Sequence, residues 1–154
     1  MKIALYQPEI AGNVGTIIRN CACFGADLHI IEPCGFPFDV QKIKRSAMDY
    51  YDLVKIVRHN SFNEFYEEQV IGANSRLILA TTKADKDIKN FRFTDDDVVL
   101  FGQESTGLPQ EIHQKASEKI KISMKENTRS LNLAISCGII LHQGSFRSYT
   151  KNEN

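Results

Sequence analysis

Apolar residues along this chain fall into short, dense runs separated by stretches where they recur every three or four positions. Lys2–Tyr6, Leu28–Glu32, Leu53–Val57, Arg76–Thr82 and Val98–Phe101 read as strands, and Lys119–Ile122 alternates as a last one. Alternation suggests an edge or half-covered position for that last strand. Between the first two strands, Val14, Ile17, Ile18, Cys21 and Phe24 keep helical spacing from a cap at Asn13 to a stop at Gly25. Arg19 falls at the margin between that buried stripe and solvent. A short helix begins near Asp39, the capping box Ser61-Phe62-Asn63-Glu64 starts another that carries Phe65 and Val70, and Gln110–Ala116 follows Pro109. After a polar turn over Lys125–Arg129, Ser130-Leu131-Asn132-Leu133 leads into a long helix through Ala134, Ile135, Cys137, Gly138, Ile139 and Leu141. That helix is apolar nearly all round, so it must be buried on more than one side, within the chain or against a second copy. Beyond Arg147 the tail is polar and is expected to fray.

Strand and helix signals alternate throughout, which predicts the α/β class with a mainly parallel sheet flanked by helices. With 154 residues, 42% of them hydrophobic, the chain fits one domain, residues 1–154, around a single sizeable core. Two loops stand out: Pro33–Asp39, which is expected to expose Phe36 and Phe38, and an acidic stretch from Asp85 to Asp97.

Nineteen basic and nineteen acidic residues cancel, so any nucleic-acid contact must come from a local patch or from a surface completed by a second subunit. Lys42, Lys44 and Arg45 form the only dense basic cluster, with Tyr50 and Tyr51 just beyond it; basic residues interleaved with aromatics suit RNA, and a solvated helix face explains them equally well. The opening MKIALYQPE is neither a signal peptide nor a spanning helix, so a cytoplasmic location is expected, with no membrane partner. Cys21 and Cys23 diverge by ~200° at ~100° per helical residue and cannot easily share a metal, and Cys34 and Cys137 have no spaced partner. Four scattered cysteines then read as reduced thiols, with no disulfide framework and no metal site.

The stretch Val98–Pro109, VVLFGQESTGLP, holds the first candidate chemistry. Its unalternating strand suits a central position covered on both faces, and Gly102 removes the side chain where that strand ends, the place where open α/β sheets bind ligands. On spacing alone, an ordinary strand, turn and helix opening at Pro109 accounts for it better than a ligand site does. GQESTG is not the dinucleotide fingerprint, lacks the lysine of a phosphate loop, and places Ser105 wrongly for a nucleophile elbow.

Three segments taken together change the picture: Asn13-Val14-Gly15-Thr16-Ile17-Ile18-Arg19, the glycine loop from Phe101 to Pro109, and Arg129-Ser130-Leu131-Asn132-Leu133-Ala134. In this order and at these intervals they resemble the three signature motifs of the SPOUT RNA methyltransferases, in the branch that modifies ribose 2′-hydroxyls. LYQPEIAGNVGTIIR, LHIIEP and the LATTK strand end are similar to the small, extension-free subfamily that methylates the wobble nucleotide of certain tRNAs. The resemblance implies methyl transfer from S-adenosylmethionine to the 2′-hydroxyl of that nucleotide, cytidine or carboxymethylaminomethyluridine, in leucine tRNAs. It also implies a C-terminal trefoil knot, against the general rule that chains avoid knots, and a homodimer with the final helix at its interface. A target at another tRNA or rRNA position, and a dimer that binds RNA without catalysis, are the alternatives.

Carried over by position, the resemblance places the cofactor against Ala80, Thr81, Gly102, Ile122, Ser130 and Leu131, held mostly by backbone groups. It makes Arg19 the central catalytic residue, with Asn13, Glu104, Ser130 and Asn132 around it. A guanidinium stays protonated far above neutral pH, so Arg19 is expected to clamp a phosphate and polarise rather than to take a proton. Glu104 is expected to orient Arg19 or the glycine loop, and Arg19 joins Lys42, Lys44 and Arg45 in holding RNA. Ala134 stands where relatives often carry serine, and His142 where many carry tyrosine. His142 could replace a hydroxyl hydrogen bond, although a lone helix histidine is more often structural, as are His29, His59 and His113.

Overall fold

A computed structural model describes residues 1–149 as a seven-stranded sheet with helices on both faces. In chain order the elements are β1 (Lys2–Tyr6), α1 (Ala11–Phe24), β2 (Asp27–Ile31), α2 (Val40–Ala47), β3 (Ile56–His59), α3 (Phe62–Tyr66) and β4 (Leu77–Ala80). They continue with β5 (Lys86–Asp87), β6 (Val98–Phe101), α4 (Gln110–Lys115), β7 (Glu118–Lys121) and α5 (Leu133–Tyr149). The strand order is β3-β2-β1-β6-β4-β7-β5 and every pairing is parallel.

Val98–Phe101 forms a strand buried at every residue, as its unalternating pattern predicts, because it pairs with β1 on one side and β4 on the other. Helices α1, α2 and α5 cover one face of the sheet, with Ile17, Ile18, Cys137 and Leu141 in the core; α3 and α4 cover the other around Phe65, Leu79 and Ile112. The approach of α1 to α2 is so close that a Cβ on Gly15 would lie 2.2 Å from that of Ser46. Asp97, fully buried before β6, accepts from Arg76 at 2.7 and 2.8 Å and from the backbone and hydroxyl of Thr94, which fixes the starts of β4 and β6 together.

Several expectations shift. The alternating strand takes the half-covered of its two expected positions, with only Ile120 buried, and is not an edge: β7 lies between β4 and the two-residue β5, which the acidic stretch Asp85–Asp97 conceals because its pairing is made by backbone alone. Strand β3 begins at Ile56, not Leu53, which ends the 3₁₀ turn Met48–Leu53 and is 72% exposed. Phe36 and Phe38 are half-buried against the core, and Arg58 lies 4.2 Å from the Phe38 ring centroid while pairing with Glu32. Asn13 is not the cap of α1; the helix opens at Ala11 with Ile10 in the cap position. Gly25 does end it, in the left-handed conformation with φ 67°. Helix α5 carries the backbone past Arg147 to Tyr149, and residues 150–154 of the polar tail lie outside the described residues.

His29 and His59 form a buried pair between β2 and β3, with Nδ1 of the former 2.9 Å from Nε2 of the latter. His59 Nδ1 lies 3.5 Å from Glu68, so the consistent tautomers have His59 donating to Glu68 and His29 donating to His59, leaving His29 Nε2 as a bare acceptor. Burial, then the neighbouring His59, Lys2 and Lys55, push the His29 imidazole down to about 4. Because the folded state binds this proton less readily than the unfolded chain, stability falls as pH drops from about 6.5 toward 4, by roughly 3 kcal/mol in all. Urea unfolding of wild type and His29→Gln at pH 7.5 and pH 5 checks this; the expected result is a clearly smaller acid loss in the variant.

Candidate functional site

The carboxyl ends of the adjacent strands β6, β4 and β7 open onto a cleft of about 550 Å³, closed on its far side by the chain leading into α5. Its walls include Asn13, Ala80, Thr81, Gly102, Glu104, Ile122, Ser130, Leu131 and Asn132, so the glycine loop, the start of α1 and the start of α5 meet here. The loop itself is a tight hairpin in which Gln103 and Gly107 exchange backbone hydrogen bonds of 3.0 Å. Gly107 takes φ 71°, and a Cβ on Gly102 would lie 2.4 Å from the Gly107 carbonyl carbon. The missing side chain at Gly102 is therefore demanded by the hairpin folding back on itself, a reason internal to the loop.

A chain of side-chain amides joins the three segments. Asn132 Oδ1 accepts from the backbone of Ala134 at 2.8 Å and Ile135 at 3.2 Å, capping α5, while its Nδ2 donates to Asn13 Oδ1 at 3.0 Å. Asn13, 7% exposed, in turn donates to Glu104 at 3.3 Å. The Glu104 carboxylate also accepts from the backbone N–H groups of Glu9 at 2.8 Å and Ile10 at 3.2 Å, supplying from a distant loop an anion at the start of α1. Reciprocally, Glu9 accepts from the Ser105 N–H at 2.8 Å and its hydroxyl at 2.7 Å, bonds that hold the Glu9 carboxyl below its usual range. Two loops ninety-odd positions apart are thus clamped by crossed carboxylates.

Arg19 lies outside the cleft. It is exposed on α1, 5.1 Å from the Tyr50 ring centroid and 3.7 Å from Met48 Sδ. Glu104, spent on Glu9, Ile10 and Asn13, makes no hydrogen bond or ion pair with it, so of the two orientations expected of Glu104 the geometry has that of the loop, together with the start of α1, and not that of Arg19. Lys42, Lys44 and Arg45 lie on α2 beside this part of α1, also away from the cleft; Lys44 pairs with Asp52 at 3.0 Å and sits 4.9 Å from the Tyr51 ring centroid. His142 lies on the outer side of α5, edge-on to Phe24 with centroids 6.1 Å apart, and does not line the cleft. Among the described residues no cluster of histidine, cysteine and carboxylate side chains could hold a metal ion, and no helix is long and apolar enough to cross a membrane.

The model of the SpoU rRNA methylase family matches residues 1–142. The chain belongs to this family. It is 45% identical over 141 residues to a tRNA (cytidine(34)-2′-O)-methyltransferase of Ancylobacter novellus, covering 92% of this chain and 89% of that protein. A solved structure described as giving structural insights into the 2-OH methylation of C/U34 on tRNA superposes with a TM-score of 0.89 at 36% identity, over 98% of this chain and 97% of its own. An AdoMet-bound rRNA methyltransferase from Sinorhizobium meliloti superposes at 0.84 with 28% identity, over 96% of this chain and 56% of its own. The resemblance carried by the three sequence segments is borne out.

This SpoU-family chain also has cleft residues that local pattern does not single out. Leu108, Met124, Leu133 and Ile140 add apolar wall, and Lys83 and His113 stand at the rim. Burial, then Lys119 and Lys83, lower the affinity of His113 for a proton. Glu9 falls within the LYQPEIAGNVGTIIR stretch with nothing to mark its carboxylate, because its partner Ser105 is 96 positions away. Glu9→Gln removes one anionic acceptor from the clamp and leaves the core untouched. S-adenosylhomocysteine should then bind a few-fold more weakly by calorimetry, with the melting temperature nearly unchanged; wild-type affinity would remove Glu9 from the site.

Proposed function

We propose that this protein transfers a methyl group from S-adenosylmethionine to the ribose 2′-hydroxyl of cytidine 34, the wobble nucleotide, of leucine tRNAs in the cytoplasm. The supporting observation is the Asn132–Asn13–Glu104 chain, which gathers the three family segments at the mouth of one cleft. The named activity of the Ancylobacter novellus relative, similar over nearly the whole chain, points the same way.

The donor set of the cleft fits the cofactor: strand-end backbone at Ala80, Thr81, Gly102 and Ile122, apolar wall for an adenine, and the polar start of α5 at Ser130 and Leu131. Bound there, S-adenosylmethionine supplies an electrophilic methyl on a sulfonium. The chain's own residues then have to align a hydroxyl and move its proton. Asn13, Glu104 and Asn132 fix the cleft mouth, and Ser130 offers a hydroxyl at its rim. Arg19 cannot serve as a base; it clamps a backbone phosphate by paired hydrogen bonds, and a phosphate oxygen or a water accepts the proton. Lys42, Lys44 and Arg45 extend the RNA contact along α2.

The chain acts as one domain whose C-terminal segment is tucked through a loop as a trefoil knot, and as a homodimer. The dimer is supported by the outer side of α5, where Ile135 is 56% and Ile139 37% exposed beside a shallow groove against α1. Incubation with labelled cofactor and bulk tRNA, followed by nucleoside mapping, tests the function. Label in 2′-O-methylcytidine at position 34 is expected; label elsewhere assigns another RNA position, and no label with intact RNA binding assigns a non-catalytic RNA-binding dimer.

A further inference from the structure

The face of the sheet covered by α3 and α4 carries an aromatic cluster that the methyl-transfer site does not use. Phe62 and Tyr66 are one turn apart on α3, with ring centroids 5.7 Å apart and planes inclined by 30°. Tyr6, the last residue of β1, meets Phe62 edge-on at 6.4 Å. All three residues are only partly buried, and each packs against the second core.

Lys115 completes the cluster. Its Nζ lies 4.6 Å from the Tyr66 centroid and 5.8 Å from that of Phe62. Glu111 precedes it by four residues on α4, the spacing at which a helical ion pair forms readily, yet Lys115 has no carboxylate partner among the described residues. Its charge is held over the rings and left available to an anion.

The cluster adjoins the cleft. Tyr6 follows Leu5, which is paired in register with the cleft-lining Phe101, and the next residue, Gln7, accepts at 3.3 Å from Gln103 of the glycine loop. Lys83 stands on the cleft rim, so a second cationic group borders the region between cleft and rings. Partly exposed aromatic residues beside unpaired lysines suit single-stranded nucleic acid, whose bases stack and whose phosphates need a counter-charge.

We infer that Tyr6, Phe62, Tyr66 and Lys115 form a stacking platform for an unpaired base flanking the target nucleotide, with Lys115 meeting the phosphate of that same nucleotide. The inference rests on the tRNA reading above and adds a second contact surface, on the opposite face of the sheet from Lys42, Lys44 and Arg45. It makes the methylated nucleotide one of at least two that the protein pulls from the loop stack.

The test uses an anticodon stem-loop carrying 2-aminopurine at each position neighbouring the target in turn, titrated with the full-length protein. Stacking on the platform should change the fluorescence of one of these probes on binding. In Tyr66→Leu that change should be lost and the stem-loop should bind about 10-fold more weakly, while Lys115→Ala should lower the salt-dependence slope by about one. S-adenosylhomocysteine affinity and the melting temperature serve as controls. Tyr66→Leu keeps the bulk that covers the second core, and Tyr66→Phe, which keeps the ring, should restore wild-type binding and guard against a folding artefact. Variants that fold and bind the stem-loop as wild type does would overturn the platform. If wild type methylates position 34 while the variants match it, the platform alone falls; if wild type binds and stacks the probe without methylating, the functional reading falls and the platform stands.

Discussion

Replacing Arg19 by alanine is expected to cut methyl transfer by on the order of 10³-fold while leaving S-adenosylhomocysteine affinity unchanged. The side chain is exposed on α1, leans on Tyr50 and Met48, and contributes nothing to the cleft wall. Removing an exposed side chain with these contacts alters stability little, by about 0.5 kcal/mol or less. Whatever is lost in turnover therefore reports on the RNA. A guanidinium holds a phosphate through two parallel hydrogen bonds, so Arg19→Lys, which keeps the charge and loses the fork, should recover only a small part of the rate. Single-turnover rates at saturating tRNA, set beside calorimetric cofactor affinity, separate the roles. A loss confined to tRNA affinity, with the saturated rate intact, would make Arg19 a binding residue only, and unchanged methylation would remove it from the mechanism.

How much of this was legible in the sequence depends on where each residue's partners lie. β1 and β6 are readable to the residue because a central strand needs apolar side chains on both faces, and Val98–Phe101 has nothing else. β5 is not readable: Lys86 and Asp87 pair through backbone groups that any residue supplies. β3 was displaced because Leu53 looks like strand material while ending an exposed turn. The start of α1 was misplaced for a related reason. Asn13 has the chemistry of a cap, but its amide is used between Asn132 and Glu104, and the anion at the start of α1 comes from Glu104, 94 positions from Ile10.

The same distinction runs through the candidate site. Asn13, Glu104 and Asn132 could be named because they lie in segments that resemble a family, and the structure brings them into one hydrogen-bonded chain. Arg19 could be named but not placed, since helical spacing fixes only that it borders a buried stripe. Glu9 could not be named, as nothing near it in the chain marks its carboxylate as the partner of Ser105. The aromatic platform is assembled from the end of β1, both ends of α3 and the end of α4, and each residue alone reads as a core-edge aromatic or a surface lysine.

Glu104→Ala should be the most damaging change within the cleft, through the donors it abandons. Its carboxylate accepts from Glu9, Ile10 and Asn13, and the last of these is buried. A stranded donor costs about 1–3 kcal/mol where water cannot reach it, and less where it can, as at the exposed Ile10, so a total of about 3 kcal/mol is expected. In a chain of this length that lowers the melting temperature by about 10 °C. Cofactor affinity should fall as well, since the loops that separate are cleft walls; Arg19→Ala, which touches no wall, should leave it alone. Glu104→Gln keeps one acceptor and turns an amide N–H₂ toward a donor, so it should lie between wild type and alanine on both measures. The decisive measurement is a double-mutant cycle of Glu104→Gln with Asn132→Ala. These residues do not touch each other but share the Asn13 amide, so their effects should be non-additive by about 0.5 kcal/mol or more. Strict additivity would mean that the three side chains are neighbours without being a unit, and that the cleft mouth is held by backbone packing instead.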